Sequence, residues 1–279
     1  MEHVTWQTAL ELYSAREAAR GVSERHQCTM RRVVLDFKAH SGCNLDAVTA
    51  AHVETWLDSW TQEHTRNGAN HRRRLLCAYM EWCKKRHFIS SNPTEPVDPY
   101  RAERVIRRNL SPREYGQVHR VAAAPLADLL DWLLLTGCRV NEALTMQPEH
   151  IGGEPCCWTM EERKAGDQLR IPLGPELLAI LERRPVSRPI WRKEFSERGL
   201  RNEIHAACAA ARVAHFGPHT LRHCAASWAQ SGGVSIQTIA AMLGHASERT
   251  SWIYAHGDRT QLVAQGQLVV AGILNRAIA

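Results

Sequence analysis

Six residues could together break and remake a phosphate ester: Arg139, Lys164, His219, Arg222 and His245, with Tyr254 last in the chain. Two arginines, a lysine and two histidines form a phosphate-binding set, and the tyrosine hydroxyl supplies a nucleophile. A phosphodiester is a poor electrophile because its anionic oxygens repel attacking groups. An enzyme that attacks it without a metal must neutralise charge on the non-bridging oxygens and on the departing oxygen. Arginine suits the first task, since its planar fork of donors matches two phosphate oxygens and stays charged at any working pH. Arg139 and Arg222 are therefore the first candidates for holding the phosphate; their bland alternative is a surface ion pair. A tyrosine hydroxyl, with a pKa of about 10, needs a nearby base or a positive field before it can attack.

The wording around these residues is specific. The chain reads Leu-Thr-Gly-Cys-Arg-Val-Asn-Glu from Leu135 to Glu142, His-Thr-Leu-Arg-His from His219 to His223, and Leu-Gly-His from Leu243 to His245. Tyr254 follows nine positions later, and Lys164 opens the string Lys-Ala-Gly-Asp-Gln-Leu-Arg-Ile-Pro-Leu-Gly that ends at Gly174. These segments resemble the tyrosine recombinases, the family of phage integrases and related site-specific DNA recombinases, over most of the chain. The resemblance implies that Lys164, on a β-hairpin, protonates the leaving 5′ oxygen; Arg163 is its rival, and the match through Pro172 favours Lys164. It implies that His219 exchanges a proton with the tyrosine hydroxyl while His245 hydrogen-bonds the phosphate. Attack by Tyr254 then yields a 3′-phosphotyrosyl ester and a free 5′ hydroxyl, conserving the bond energy so that strands reseal without ATP. Glu142, one turn past Arg139, is either that arginine's ion-pair partner or a solvated helix residue. Asn141 stands where the family commonly has a serine.

A metal reading competes. His219 and His223 lie four apart on a helical stretch, so both could ligate one ion with Cys224 or His245 as a third ligand. The glutamate of the zinc-protease pattern is missing between them, and Arg222 would oppose the metal's charge. The expectation is therefore no metal and no cofactor, with the arginines and Lys164 in place of metal ions. His223 and His256 read as supporting or packing histidines.

Composition sets the frame for this chemistry. At 279 residues, with 44% hydrophobic and 23% charged content, the chain has room for two globular domains. No apolar run approaches the length needed to cross a bilayer, and the first residues show no secretory signal. Nine cysteines without a repeated C-x-x-C pattern read mostly as small buried hydrophobes in a reducing cytoplasm. The net charge of +6 is uneven: positions 65–108 hold 11 Lys/Arg against four acids, so the rest of the chain is nearly neutral. Such a block suggests a polyanion-binding surface, with Arg72, Arg73, Arg74, Lys84, Lys85 and Arg86 as DNA contacts. A merely solvated helix face would look alike.

The elements that must position these groups read as mainly α. Residues 1–92 form helices with apolar stripes at Trp6, Leu10 and Tyr13, at Val33, Leu35 and Phe37, at Val53, Trp56, Leu57 and Trp60, and at Leu75, Tyr79 and Trp82. The aromatics at these spacings read as core. Pro93, Pro96 and Pro99 then make residues 93–108 a basic linker containing Arg101, Arg104, Arg107 and Arg108. The second domain, 109–279, opens on Ser111-Pro112-Arg113-Glu114, which combines an N-cap, a first-turn proline and a capping-box glutamate. An apolar helix ends at Gly137 so that Arg139 starts the next one, and residues 156–160 and 168–171 read as two short strands. The resemblance implies a C-shaped clamp: a helical, SAM-like core-binding domain and a mostly α catalytic domain with a small antiparallel sheet. It leaves no room for the additional N-terminal domain with which larger integrases bind distant arm sites.

The expected function is site-specific recombination of duplex DNA, by a cytoplasmic enzyme of a mobile element. Its implied partners are DNA with paired half-sites and its own copies, two per site and a homotetramer in all; an accessory directionality protein is a further candidate. The tail after Tyr254 is apolar at Leu262, Val263, Val269, Val270, Ile273 and Leu274. Either it folds back on its own domain or, as the resemblance implies, each protomer lends it to the next in the ring. Two other classes remain as alternatives: a type IB topoisomerase-like relaxing enzyme and a non-catalytic DNA-binding relative.

Overall fold

The computed structural model describes residues 4–103, 108–154, 156–160, 169–184, 189–191, 195–244 and 267–274, in two compact units divided between positions 106 and 107. The first unit is helical: α1 (Trp6–Ala19), α2 (Glu24–Ser41), α3 (Ala50–Thr61) and α4 (Arg66–Lys85). Its core is aromatic, as expected. Trp6 stacks on Tyr79 with centroids 6.3 Å apart, and Phe37 meets Trp56 edge-on at 5.1 Å. In α2 the buried face is Met30, Val33, Val34 and Phe37, whereas Leu35 is 38% exposed. The two-residue stripe expected there had the wrong period: a helix returns to the same face after three or four residues.

The residues after α4 are not a free tether as far as position 103. Pro93 and the Asn92, Thr94 and Val97 side chains are buried in the first unit. Arg73 donates from Nε to the Val97 carbonyl at 2.5 Å, so Pro93 and Pro96, in turns, open an irregular strap laid on α4. Arg104 and Arg107 lie outside the described residues.

The second unit runs α5 (Pro112–Val121), α6 (Ala124–Thr136), α7 (Val140–Leu144), a three-stranded sheet, α8 (Pro175–Glu182), α9 (Glu197–Ala210), α10 (Pro218–Ser231) and α11 (Ile236–Leu243), followed by a helical segment at 267–274. The Ser111 cap forms as read: its Oγ accepts the Glu114 N–H at 3.2 Å, and Glu114 Oε2 accepts the Ser111 N–H at 2.9 Å. The sheet is antiparallel, β1 (Ile151–Gly152), β2 (Cys157–Met160) and β3 (Leu169–Pro172), with Trp158 opposite both Ile151 and Ile171. Strand β1 went unread because two residues carry no alternation. Helix α6 is buried almost throughout, with α10 along it and the indole of Trp132 between Trp158 and Trp191. All nine cysteines are free, five of them buried. Among the described residues no helix is long and apolar enough to cross a membrane.

Residues 267–274 settle on their own unit. Val269 and Ile273 are fully buried in its core, and Gly272 lies so close to Gly232, at the end of α10, that a Cβ on Gly232 would come 2.6 Å from the Gly272 Cα. In the single chain this part of the tail packs on its own domain, the first of the two readings, with Leu268 left exposed. Leu262 and Val263 lie outside the described residues.

One polar cluster ties α5 to α6. Tyr115 donates to Asp131 Oδ1 at 2.5 Å, and His119 Nε2 lies 3.0 Å from Asp131 Oδ2. The bond to Asp131 raises the His119 pKa above its ordinary 6.5, against an opposing effect of burial. A raised pKa means that the folded state binds the proton more tightly. The stabilisation is thus full below about 6.5 and is lost as pH rises through the folded value. Urea unfolding of the second unit should accordingly show a midpoint that falls as pH rises from about 6.5 through neutrality, and His119→Gln should flatten that slope. Parallel pH profiles for the two proteins would show that the imidazole's charge plays no part.

Candidate active site

The turn that carries Arg139 is built by three neighbours. Thr136 Oγ1, fully buried, donates to the Trp132 carbonyl at 2.6 Å and accepts the Cys138 N–H at 3.3 Å. Gly137 ends α6 in the left-handed region, φ 62°. A side chain there would be strained by that φ, and its Cβ would also collide with the Leu243 Cδ2. Arg139 then caps α7 and is bound twice by Glu142: its N–H donates to Oε2 at 2.6 Å and its Nη1 to Oε1 at 2.8 Å. Of the two readings of Glu142, the ion pair is the one formed. With 46% of its side chain exposed, Arg139 is oriented at its base yet open to an anion.

Arg222 is held from the opposite side. On the second turn of α10, its Nη1 donates to the Gly137 carbonyl and its Nη2 to the Leu243 carbonyl, each at 2.6 Å. Both acceptors end helices, α6 and α11, where unpaired carbonyls and the helix dipole favour a cation. The carbonyl it grips at Gly137 thus lies two residues along the chain from Arg139. His219, exposed in the first turn of α10 behind Pro218, is one turn before Arg222 and so on the same face. His223, next to Arg222 and one turn after His219, is half-buried. Among the described residues no three His, Cys, Asp or Glu side chains gather as a metal-binding group.

The structure therefore brings Arg139, Arg222 and His219 to one end of α10. Lys164, His245 and Tyr254, with Arg163 and His256, lie outside the described residues. Helix α11 ends at Leu243 with Gly244 left-handed at φ 60°, one position before His245. Cys138, next to Arg139, is no rival nucleophile: burial pushes its thiol up to about 12, against the opposing charge of Arg222. Gly137 and Leu243 are the residues that reading by chemistry passed over. Their signal was present in the Thr-Gly before Arg139 and the Leu-Gly before His245, but a backbone carbonyl leaves no trace in residue type.

The basic block divides sharply. Arg72 is 8% exposed, ion-paired with Asp36, and its guanidinium lies 4.6 Å from the Trp56 ring centroid and 3.9 Å from that of Trp60. Arg73 is spent on the strap, donating to the Val97 and Thr94 carbonyls. Arg72 is internal to the first unit, against the reading of it as a DNA contact, while Arg73 is half-buried with its guanidinium turned to the strap. Lys84 pairs with Glu95 at 3.4 Å and Lys85 with Glu81 at 3.5 Å, both at the surface. Arg74, Lys85 and Arg86 are exposed, and Arg74 and Lys85 share a face of α4 three turns apart.

The chain is similar to the tyrosine recombinase XerD of Ralstonia nicotianae, 22% identical over 260 residues that cover 80% of each chain. Among solved structures, a lambda integrase dimer bound to a COC′ core site has a TM-score of 0.76 at 19% identity, covering 88% of this chain and 96% of that one. A lambda integrase tetramer bound to a Holliday junction has a TM-score of 0.74 at 19% identity, covering 88% of this chain and 78% of that one. The model of the phage integrase family matches residues 113–261, a span that contains all six candidate residues and more than half of the chain. The chain belongs to the phage integrase family, the tyrosine recombinases.

Proposed function

We propose that this recombinase cuts and rejoins duplex DNA at specific sites, with Tyr254 as nucleophile and the turn at Arg139 and the face of α10 as the cradle of the scissile phosphate. One observation carries the reading: Arg222 is seated on the carbonyls of Gly137 and Leu243, which joins the motifs of Arg139, His219 and His245 in one contact. The Tyr254 oxygen attacks phosphorus and passes its proton to His219. Arg139 and Arg222, with His245, compensate the charge gathering on the non-bridging oxygens. The 5′ oxygen leaves with a proton from Lys164. The reverse attack, by a 5′ hydroxyl of another strand, restores the phosphodiester and frees the tyrosine. The recombinase relatives favour this over a type IB topoisomerase-like enzyme or a non-catalytic DNA-binding protein.

The first unit serves as the core-DNA-binding domain and the second as the catalytic domain. The reading extends to two protomers on paired half-sites and a homotetramer when two sites meet, supported by the dimeric and tetrameric lambda integrase complexes with DNA. A cytoplasmic setting, where DNA and free cysteines coexist, completes it.

Trapping on a nicked DNA half-site tests the chemistry. Tyr254→Phe should bind the DNA as wild type does yet form no covalent adduct; an adduct would move the nucleophile elsewhere. In the same assay Arg139→Lys and Arg222→Lys should each slow attachment by about 100-fold, because lysine keeps the charge but not the fork. Near wild-type rates in both would make these arginines structural.

A salt titration tests the surface. Replacing Arg74, Lys85 and Arg86 together by alanine should weaken DNA binding. It should also lower the slope of log K against log salt by up to about three, one for each phosphate no longer neutralised. An unchanged slope would make this face a solvated one. Arg72→Ala should instead lower the urea midpoint of the first unit, since it empties the space between two indoles.

A further inference from the structure

A ladder of side chains on one face of α4 holds the strap that leads out of the first unit. Asn70 grips Tyr100 from both sides, its Nδ2 donating to the Tyr100 carbonyl at 2.9 Å and its Oδ1 accepting the Tyr100 N–H at 2.8 Å. One turn earlier Asn67 does the same to Glu103, at 2.9 Å and 3.2 Å. One turn later Arg73 donates to the Val97 carbonyl at 2.5 Å and the Thr94 carbonyl at 3.3 Å. Positions 67, 70 and 73 climb α4 in steps of three while their partners 103, 100 and 97 descend in the same steps. An asparagine amide offers one face with a donor and an acceptor, as a peptide unit does, so each pair imitates a bridge between strands.

Two more contacts close the far end. The Glu103 carboxylate accepts the Arg66 N–H at 3.1 Å, at the N-terminus of α4, where negative charge is favoured. The Tyr100 hydroxyl donates to Asp58 on α3. On the other side Arg108, within the second unit, is ion-paired with Glu114 and donates to the Ala214 carbonyl. Five chain steps separate Glu103 from Arg108 and can span at most about 18 Å. With both asparagine rungs open the chain would still be held at Val97 by Arg73, leaving about eleven steps and a reach of about 40 Å.

We propose that Asn67 and Asn70 are positioning residues for recombination: by fastening the strap to α4 they shorten the tether through which the two units grip one DNA half-site. This rests on the reading that both units bind the same DNA. The binding of one unit then raises the effective concentration of the other, which falls roughly as the −3/2 power of tether length. Going from five steps to about eleven weakens half-site binding by about threefold.

Two variants of the full chain separate the parts of this proposal. Asn67→Ala with Asn70→Ala opens the ladder. An insertion of six Gly and Ser residues after Glu103 lengthens the tether and leaves the ladder intact. Trypsin should cut after the exposed Arg101 faster in the double variant and at the wild-type rate in the insertion variant. Both should bind a half-site about threefold more weakly while attaching covalently at the wild-type rate once DNA is saturating. Unaltered trypsin cleavage in the double variant would show that the asparagines do not hold the strap. Unaltered affinity in the insertion variant would show that tether length does not govern the grip. A wild-type protein that fails to bind any half-site, with the trypsin difference intact, would overturn the recombinase reading and the positioning role with it, but not the ladder.

Discussion

The catalytic unit turns on where one guanidinium rests. Arg222 spans the ends of α6 and α11, and each 2.6 Å bond satisfies a carbonyl that the helix itself leaves unpaired. Three helices are located against each other by that span, because α10 supplies the cation and the other two supply the acceptors. The neighbouring constraints follow from it. Position 137 must be glycine to let Leu243 approach, Leu243 must approach to present its carbonyl, and Gly244 must turn left-handed to end α11 there. In the proposed reaction an arginine already fixed by its own protein would need little reorganisation when charge develops before it.

In the first unit an arginine has the opposite employment. Arg72 is stacked against two tryptophans and neutralised by Asp36, and burial draws its pKa down while that carboxylate draws it back. Its charge serves packing between α2, α3 and α4. Guanidinium tolerates such a place better than an ammonium because it is planar, weakly hydrated and able to lie on an aromatic face.

These two arginines mark what residue order can and cannot tell. The Ser111 cap, the stop at Gly137, the aromatic core and strands β2 and β3 were legible, because each depends on neighbours a few positions apart. Arg139, His219 and Arg222 stand out as a set from their motifs, and the bond from Arg222 to the Gly137 carbonyl puts the turn of Arg139 beside α10. The run Arg72-Arg73-Arg74 was not legible. Successive helix positions point about 100° apart, so one faces the core, one the strap and one solvent, and charge alone does not say which. Leu35 failed for the same reason of phase. The prolines after α4 correctly excluded regular structure, but the amides that bind this stretch lie some thirty positions upstream, beyond any local pattern. The folding of residues 267–274 onto α10 depended on a meeting of two glycines forty positions apart.

That meeting has a mechanical consequence. Both ends of the stretch that contains Tyr254 are moored to α10: Leu243 through Arg222 near its start, and Gly272 against Gly232 at its finish. A DNA end carried on Tyr254 in the proposed intermediate would pull on two moorings of one helix at once. The load would divide along the chain in both directions and run into α10 and the buried helix α6 packed along it. A severed strand would thus be secured to the interior of the protein rather than to a loose end, and could exchange partners under strain without being let go.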